Sequence, residues 1–208
     1  MKKKIIITGG LGYIGTELCK LYSGISWNTE IIVIDNRFIS ERVNQIRNWN
    51  MKFVHGDILD KELINKHCKD ADVVHHLAGI TDVPRTRSES KEDKDNKIKL
   101  VAEEGTENIL NAITNKCKII FPSTHVVYEA IEKVKNNISE DEPLKPLLSY
   151  ASSKAINEKQ LKNSGKNYVI LRLGSVYGYS TDTARIDIMP NLFSRIASQD
   201  GTIKLFAG

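Results

Sequence analysis

Short runs of β-branched residues alternate with stretches whose apolar residues recur at helical spacing, and the alternation continues along the whole chain. Ile5, Ile6 and Ile7 lie in the first run, residues 4–8, which stops at glycines as a buried parallel strand does. Residues 16–22 read as a helix, and Ile31, Ile32, Val33 and Ile34 as a second buried strand ending at Asp35. Residues 52–55, 72–79, 118–121 and 168–173 supply four more strands, and 202–206 could form a short last one. Helices are predicted over 60–68, with Asp60 as N-cap, over 96–115, from Tyr150 onward, and over 187–198, interrupted early by Pro190. Residues 80–94 are polar and charge-mixed, which suggests a mobile surface loop or lid; residues 129–148 form an acid-rich connection containing Pro143 and Pro146. Strands alternating with helices predict an α/β fold, a Rossmann-type doubly wound parallel sheet with helices on both faces. In such a sheet the ligand lies beyond the carboxyl ends of the strands.

The first strand, the loop and the second strand carry more information than the rest. Gly9, Gly12 and Gly15 fall between strand and helix at the spacing that permits a tight turn, approach of a pyrophosphate to the backbone, and close helix–strand packing. Asp35 lies 20 residues beyond Gly15, where a carboxylate can accept from both ribose hydroxyls of NAD. A 2′-phosphate would meet that negative charge, so NAD is favoured over NADP, with nearby Arg37 as the one opposing feature. Asp57, after the third strand, falls near the adenine, and Leu77, Ala78 and Gly79 would line the cofactor through backbone and small side chains.

Tyr150 and Lys154 are four residues apart, so a helix brings both to one face. The ammonium favours the phenolate, which makes the tyrosine a general acid and base for an alcohol or ketone. Lys154 would also bond the nicotinamide ribose. Thr124 follows the fifth strand, at the edge where the cofactor must lie, and its hydroxyl can hold the substrate oxygen that Tyr150 protonates or deprotonates. His75 and His76 are adjacent on a strand and point to opposite faces, so they cannot share a metal, and no metal site is expected.

Composition adds bounds. The 208 residues are 40% hydrophobic and 27% charged, an ordinary balance for one domain or one domain and the start of another. The net charge of +4 comes from interspersed residues, which implies no nucleic-acid groove. Cys19, Cys68 and Cys117 are widely spaced and fit packing roles in a reducing compartment. With no long apolar run and no leader before the first strand, a cytoplasmic protein free of the membrane is expected.

The order of these motifs resembles the extended branch of the short-chain dehydrogenase/reductase family, the nucleotide-sugar epimerases and dehydratases. The likeness is carried by residues 8–15, Asp35-Asn36, Gly56-Asp57-Ile58, residues 76–79, Gly105-Thr106, Ser123-Thr124 with Val127-Tyr128, Tyr150 to Lys154, Leu171-Arg172, and Val176-Tyr177-Gly178. The resemblance implies a catalytic set of Thr124, Tyr150 and Lys154. It also implies an NAD site of Gly9, Gly12, Tyr13, Ile14, Gly15, Asp35, Asn36, Asp57, Ile58, Leu77, Ala78 and Gly79, with Tyr150 and Lys154. Asp35-Asn36 looks most like the NAD-using 4-epimerases. A nucleotide-sugar substrate touching Thr124 and Ser175, and a homodimer through helices 96–115 and 150–163, follow from the same likeness.

Departures qualify it. His125-Val126 stand where the 4,6-dehydratases carry Asp-Glu, which disfavours dehydration. Glu129 replaces a usual glycine, and Ser175 and Ala102 replace usual asparagines. Family chains run to roughly 300 residues or more. The expectation is therefore an NAD-binding domain over 1–178 and the beginning of a substrate lobe over 179–208, the lobe itself being largely absent. Epimerisation is the leading expectation; a net ketoreductase or dehydrogenase, or a non-catalytic NAD-binding scaffold, are the alternatives.

Overall fold

The computed structural model describes residues 2–81, 91–132, 135–180 and 188–204. Six strands form one sheet: β1 (Lys3–Thr8), β2 (Thr29–Asp35), β3 (Lys52–His55), β4 (Val73–His76), β5 (Lys118–Thr124) and β6 (Asn167–Leu173). Their order is β3-β2-β1-β4-β5-β6, and every neighbouring pair is parallel. The chain works outward from β1 on one side, then crosses back to β4 and works outward on the other. The strand order reverses between β1 and β4, and at such a point a parallel sheet opens a crevice at its carboxyl edge.

Both faces of the sheet are covered near β1, which is why the strands there read as unbroken isoleucine and valine rather than as alternating patterns. Ile5, Ile7, Ile31 and Val33 point to one face and pack with Leu11, Cys19, Val43, Ile46 and Met51, beneath α1 (Tyr13–Tyr22) and α2 (Ser40–Asn48). Ile6, Ile32, Ile34, Val74, Ile119 and Phe121 point to the other. There they meet Ile64, Ile109, Leu110 and Leu161 from α3 (Lys61–Cys68), α4 (Glu92–Ala112) and α5 (Ser149–Asn163). Each such isoleucine contributes about 1.5–3 kcal/mol by leaving water.

The element ends differ from the sequence expectation in instructive ways. Asp60 caps α3 as expected, its side chain accepting from Leu63 N at 3.0 Å. Helix α1 starts at Tyr13, earlier than residue 16, because Gly12 takes the N-cap position. Helix α4 starts at Glu92, since Glu92, Asp93 and Asp95 suit the positive end of a helix. Helix α2 was not expected at all: Val43 and Ile46 are its buried apolar residues, too narrow a stripe to read. Pro190 does not interrupt α6 (Met189–Ser198); it occupies the first turn, where a proline costs no hydrogen bond. Residues 202–204 form no strand, and 205–206 lie outside the described residues. Of the expected 80–94 loop, 82–90 lie outside the described residues and 92–94 belong to α4.

All three cysteines are buried and unpaired, with burial pushing the thiols of Cys19 and Cys68 up to about 12 and that of Cys117 to about 11. Among the described residues no helix is long and apolar enough to cross a membrane.

Candidate active site

The glycine loop leaves the carboxyl end of β1, and its geometry explains each glycine. Gly9 has φ +69°, and a Cβ there would stand 2.7 Å from Ala78 N, so the loop lies directly against the residues following β4. A Cβ on Gly15 would collide with Gly9 O and stand 2.6 Å from the Cα of Gly10, so α1 can come this close only without one. At Gly12 a Cβ would stand 3.1 Å from Gly9 O and 3.7 Å from Arg37 Nη2, so a side chain there would be crowded as well, though less than at Gly9 or Gly15. The first turn of α1 carries no acid. A glycine-rich turn at a helix N-terminus uncompensated by an acid fits a pyrophosphate.

The apex of the loop is clamped from both sides. Leu11 N donates to Asp35 Oδ2 at 2.9 Å, and Leu11 O accepts from the buried guanidinium of Arg42. Asp35 Oδ1 accepts from Arg37 N at 2.9 Å, so both carboxylate oxygens already hold the loop and the end of β2 in place. Asn36 Nδ2 donates to Asp57 Oδ2 at 2.9 Å, joining the ends of β2 and β3 along the path an adenosine would take. Ile58 differs from its neighbours. Its side chain is buried against the α-carbon of Gly105, and its carbonyl accepts from Asn108 Nδ2 at 3.1 Å, so it packs in the core instead of facing the crevice. Tyr13 OH donates to Gly178 O, linking the start of α1 to the loop after β6.

A second group of side chains gathers at the ends of β4 and β5. A narrow cleft there is lined by Leu77, Ala78, Gly79, Tyr150, Ser153 and Lys154, among others. Tyr150 and Lys154 are in the first two turns of α5 and share a face, with Lys154 Nζ 5.9 Å from the centre of the tyrosine ring. Lys154 Nζ also donates to Pro122 O at 2.8 Å and lies 4.4 Å above the Phe121 ring. Desolvation lowers its pKa from the ordinary 10.5 to about 8. Thr124 closes β5, two residues beyond that carbonyl, and its Oγ1 accepts from Val126 N at 3.3 Å, which leaves its own proton to donate elsewhere. Ser175, after β6, is exposed. A roomier hollow of about 280 Å³ opens at the opposite, amino edge of β1 to β3, away from all of these groups.

Beneath the cleft runs a buried polar chain that sequence reasoning did not foresee. Asn157 Nδ2 donates to Thr106 Oγ1 at 3.0 Å; Thr106 Oγ1 and Thr8 Oγ1 each stand 3.0 Å from one ring nitrogen of His76. Thr106 and Thr8 each also accept from a protein N–H, Asn157 Nδ2 and Ala78 N, and each hydroxyl can either donate to or accept from its ring nitrogen, so both nitrogens of a neutral His76 imidazole are satisfied. Burial, with the charge of Lys154 added, holds the pKa of His76 down at about 3. The adjacent His75 points to the opposite face, as strand geometry requires, and bonds Tyr22 OH at 2.7 Å. This chain ties β1, β4, α4 and α5 together directly under Tyr150 and Lys154.

Glu158 fixes α5 to β6. Its carboxylate takes two bonds from Arg172, at 3.0 and 2.7 Å, and one from Ser123 Oγ at 2.6 Å. Burial pushes its pKa up, but these bonds and the Arg172 and Lys162 charges outweigh that and hold it below the usual carboxylate value. Glu129, which departs from the family's glycine, also has a definite task. Its Oε1 accepts from Leu147 N at 2.8 Å and Leu148 N at 2.7 Å, immediately before α5 begins. Asn157 and Glu158 could have been found from their spacing, because both fall on the helix face of Tyr150 and Lys154. Arg42 and Thr106 carry no such signal.

Residues 5–208 match the family model described as NAD dependent epimerase/dehydratase family. The chain is 28% identical to a UDP-glucose 4-epimerase of Lactobacillus helveticus over 98% of its own length and 63% of the relative's. It is 31% identical to a CDP-paratose 2-epimerase of Salmonella typhi, covering 84% of this chain and 58% of that one. Among solved structures it is similar to the UDP-glucuronic acid 4-epimerase of Bacillus cereus in complex with NAD, at a TM-score of 0.75 and 26% identity, over 98% of this chain and 65% of the other. The chain thus spans somewhat under two thirds of the length of these relatives. It belongs to the NAD dependent epimerase/dehydratase family.

Proposed function

We propose that this chain holds the dinucleotide-binding and acid–base machinery of an NAD-dependent nucleotide-sugar epimerase. The observation that carries the reading is the placement of Tyr150 and Lys154 on one face of α5, with the ammonium tethered to Pro122 O two residues from Thr124. Gly9, Gly12, Tyr13, Ile14 and Gly15 would hold the pyrophosphate; Asp35, Asn36 and Asp57 would hold the adenosine; Leu77 to Gly79 would face the nicotinamide end. NAD, when bound, supplies the acceptor and later the donor of hydride, so that a sugar carbon can become a carbonyl and be reduced again on its other face.

The protein's own part is proton handling. Tyr150 takes the proton of the sugar hydroxyl and later returns it. Thr124 donates to the same oxygen and fixes its position. Lys154, charged, stabilises the phenolate and so keeps Tyr150 ready as a base. Ser175 would contact the sugar from the loop after β6. His125-Val126 offer no acid–base pair beside Thr124, which favours epimerisation over elimination.

Residues 1–178 form the NAD-binding domain in this reading, and 179–208 open the substrate lobe. A homodimer through α4 and α5 and a cytoplasmic location, in keeping with the buried free thiols, complete it; light scattering and cell fractionation test these two. The function itself is tested by incubating the protein with a panel of UDP-hexoses. Formation of a stereoisomer without net NADH, and its loss by about a thousandfold or more in Tyr150→Phe, are expected. Net NADH with no stereoisomer, or full activity in the variant, would contradict the reading.

A further inference from the structure

An ammonium drawn out of water is costly unless an opposite charge stands beside it. Lys154 has no such neighbour among the described residues lining its cleft. Helix α4 brings Ile98, Ala102 and Thr106 to that cleft, the segment after β4 brings residues 77–81, and α5 itself adds Tyr150, Ser153 and Asn157. None of them is an acid. Glu158, one turn further along α5, is committed to Arg172 and Ser123. The titratable groups about the ammonium are therefore Tyr150 on its own helix and, from β4, the neutral imidazole of His76. What β5 offers is a carbonyl, Pro122 O at 2.8 Å from Nζ, and the face of the Phe121 ring, with Nζ 4.4 Å from its centre. That ring is 1% exposed, sits on a strand paired on both sides, and meets His76 at 5.7 Å between ring centres, so it is a fixed surface.

We propose that Phe121 is a positioning residue of the acid–base site: its ring face seats the Lys154 ammonium beside Tyr150 in place of a carboxylate. Its consequence for catalysis rests on the roles given to Tyr150 and Lys154 above. The face of an aromatic ring is negative and attracts a cation more strongly the less water screens it. A ring differs from a carboxylate in a way that suits this site. A carboxylate beside Lys154 would cancel its charge and oppose the Tyr150 phenolate, raising the proton affinity of the phenol. The ring holds the ammonium and leaves its positive charge to act on the phenol. Of the three ammonium donors, Pro122 O takes one, and two remain for the cleft.

Graded fluorination tests this with little change in the shape of the core. Phe121 is replaced by mono-, di- and trifluorinated phenylalanine in turn, each weakening the negative face of the ring further. The pKa of Lys154 is read by carbon NMR of the lysine Cε atoms, its signal assigned by its loss in Lys154→Arg. It is expected to fall stepwise, by about 0.5–1 across the series. The alkaline limb of the kcat profile for UDP-hexose epimerisation should move to lower pH by the same amount, with KM unchanged. Phe121→Leu, which removes the ring, should move both at least as far; where that variant melts well below the wild type, the fluorinated series carries the test. A Lys154 pKa that stays level across the series overturns the seat and leaves the Tyr150 assignment standing, since Tyr150→Phe tests that separately. A falling pKa with an unmoved alkaline limb overturns the positioning role. A falling pKa in a chain that turns over no UDP-hexose keeps the seat and removes the catalytic reading it serves.

Discussion

The sheet has two halves built to different standards. Around β1 and β2, residues 5–8 and 31–35 are all buried, because helices cover both faces. In β6 no residue is buried; Tyr168 and Val169 are each 37% exposed and Leu171 is 43% exposed. Val169 and Leu171 pair with Ile120 and Pro122 of β5, so they form an apolar strip on the sheet face opposite α4 and α5. Helix α6, the last described element, likewise buries none of its side chains. Most groups assigned to cofactor thus sit on a finished scaffold; of those assigned to substrate, Thr124 is buried at the end of β5, whereas Ser175 is exposed after the thinly covered β6. The difference between the two halves can be probed.

The join between the halves should show the largest effect. Glu158→Ala leaves the Arg172 guanidinium and Ser123 without their carboxylate, and is expected to cost about 3–5 kcal/mol in urea unfolding. A loss below about 1 kcal/mol would mean that β6 is not held by this pair. Next comes a direct comparison of the two halves. Ile32→Ala, at 1% exposure, should cost about 2–5 kcal/mol, and Leu171→Ala, at 43%, less than about 1 kcal/mol. Equal costs would show that β6 is covered as thoroughly as β2.

The pH dependence is a smaller, finer probe, and it reports on the finished half. His75 and His76 are held at about 4 and about 3, against an ordinary 6.5. The unfolded chain therefore binds more protons below pH 6.5, and stability should fall as pH drops from about 6.5 towards 3. Lys154 acts at the other end. Its amine titrates near 8 when folded and 10.5 when unfolded, so stability should rise with pH across that window. Denaturant midpoints measured from pH 4 to 10 check both signs; His76→Gln should flatten the acid limb, and Lys154→Met the alkaline one.

The legible and illegible parts of the sequence divide along physical lines. The strands of the buried half announced themselves as β-branched runs, because burial on both faces leaves no polar alternation to confuse the pattern. Gly9 and Gly15 were legible because close backbone approach leaves no room for a side chain there. Tyr150 and Lys154 were legible through helical spacing. The chain from Thr8 through His76 and Thr106 to Asn157 was not, since it joins four elements whose contact is decided by the tertiary fold. Ile58 turned into the core for a similar reason: Gly105 on α4 leaves a gap that only packing reveals. Glu129 looked like a deviation and proved to be a tether for the turn before α5.

The most direct test of the account is a crystal structure of the chain with bound NAD. The account predicts the pyrophosphate over Gly12 and the nicotinamide end in the cleft beside Tyr150, with the ribose within hydrogen-bonding reach of Lys154. A nicotinamide lying away from that cleft, or crystals that take up no dinucleotide at all, would contradict it.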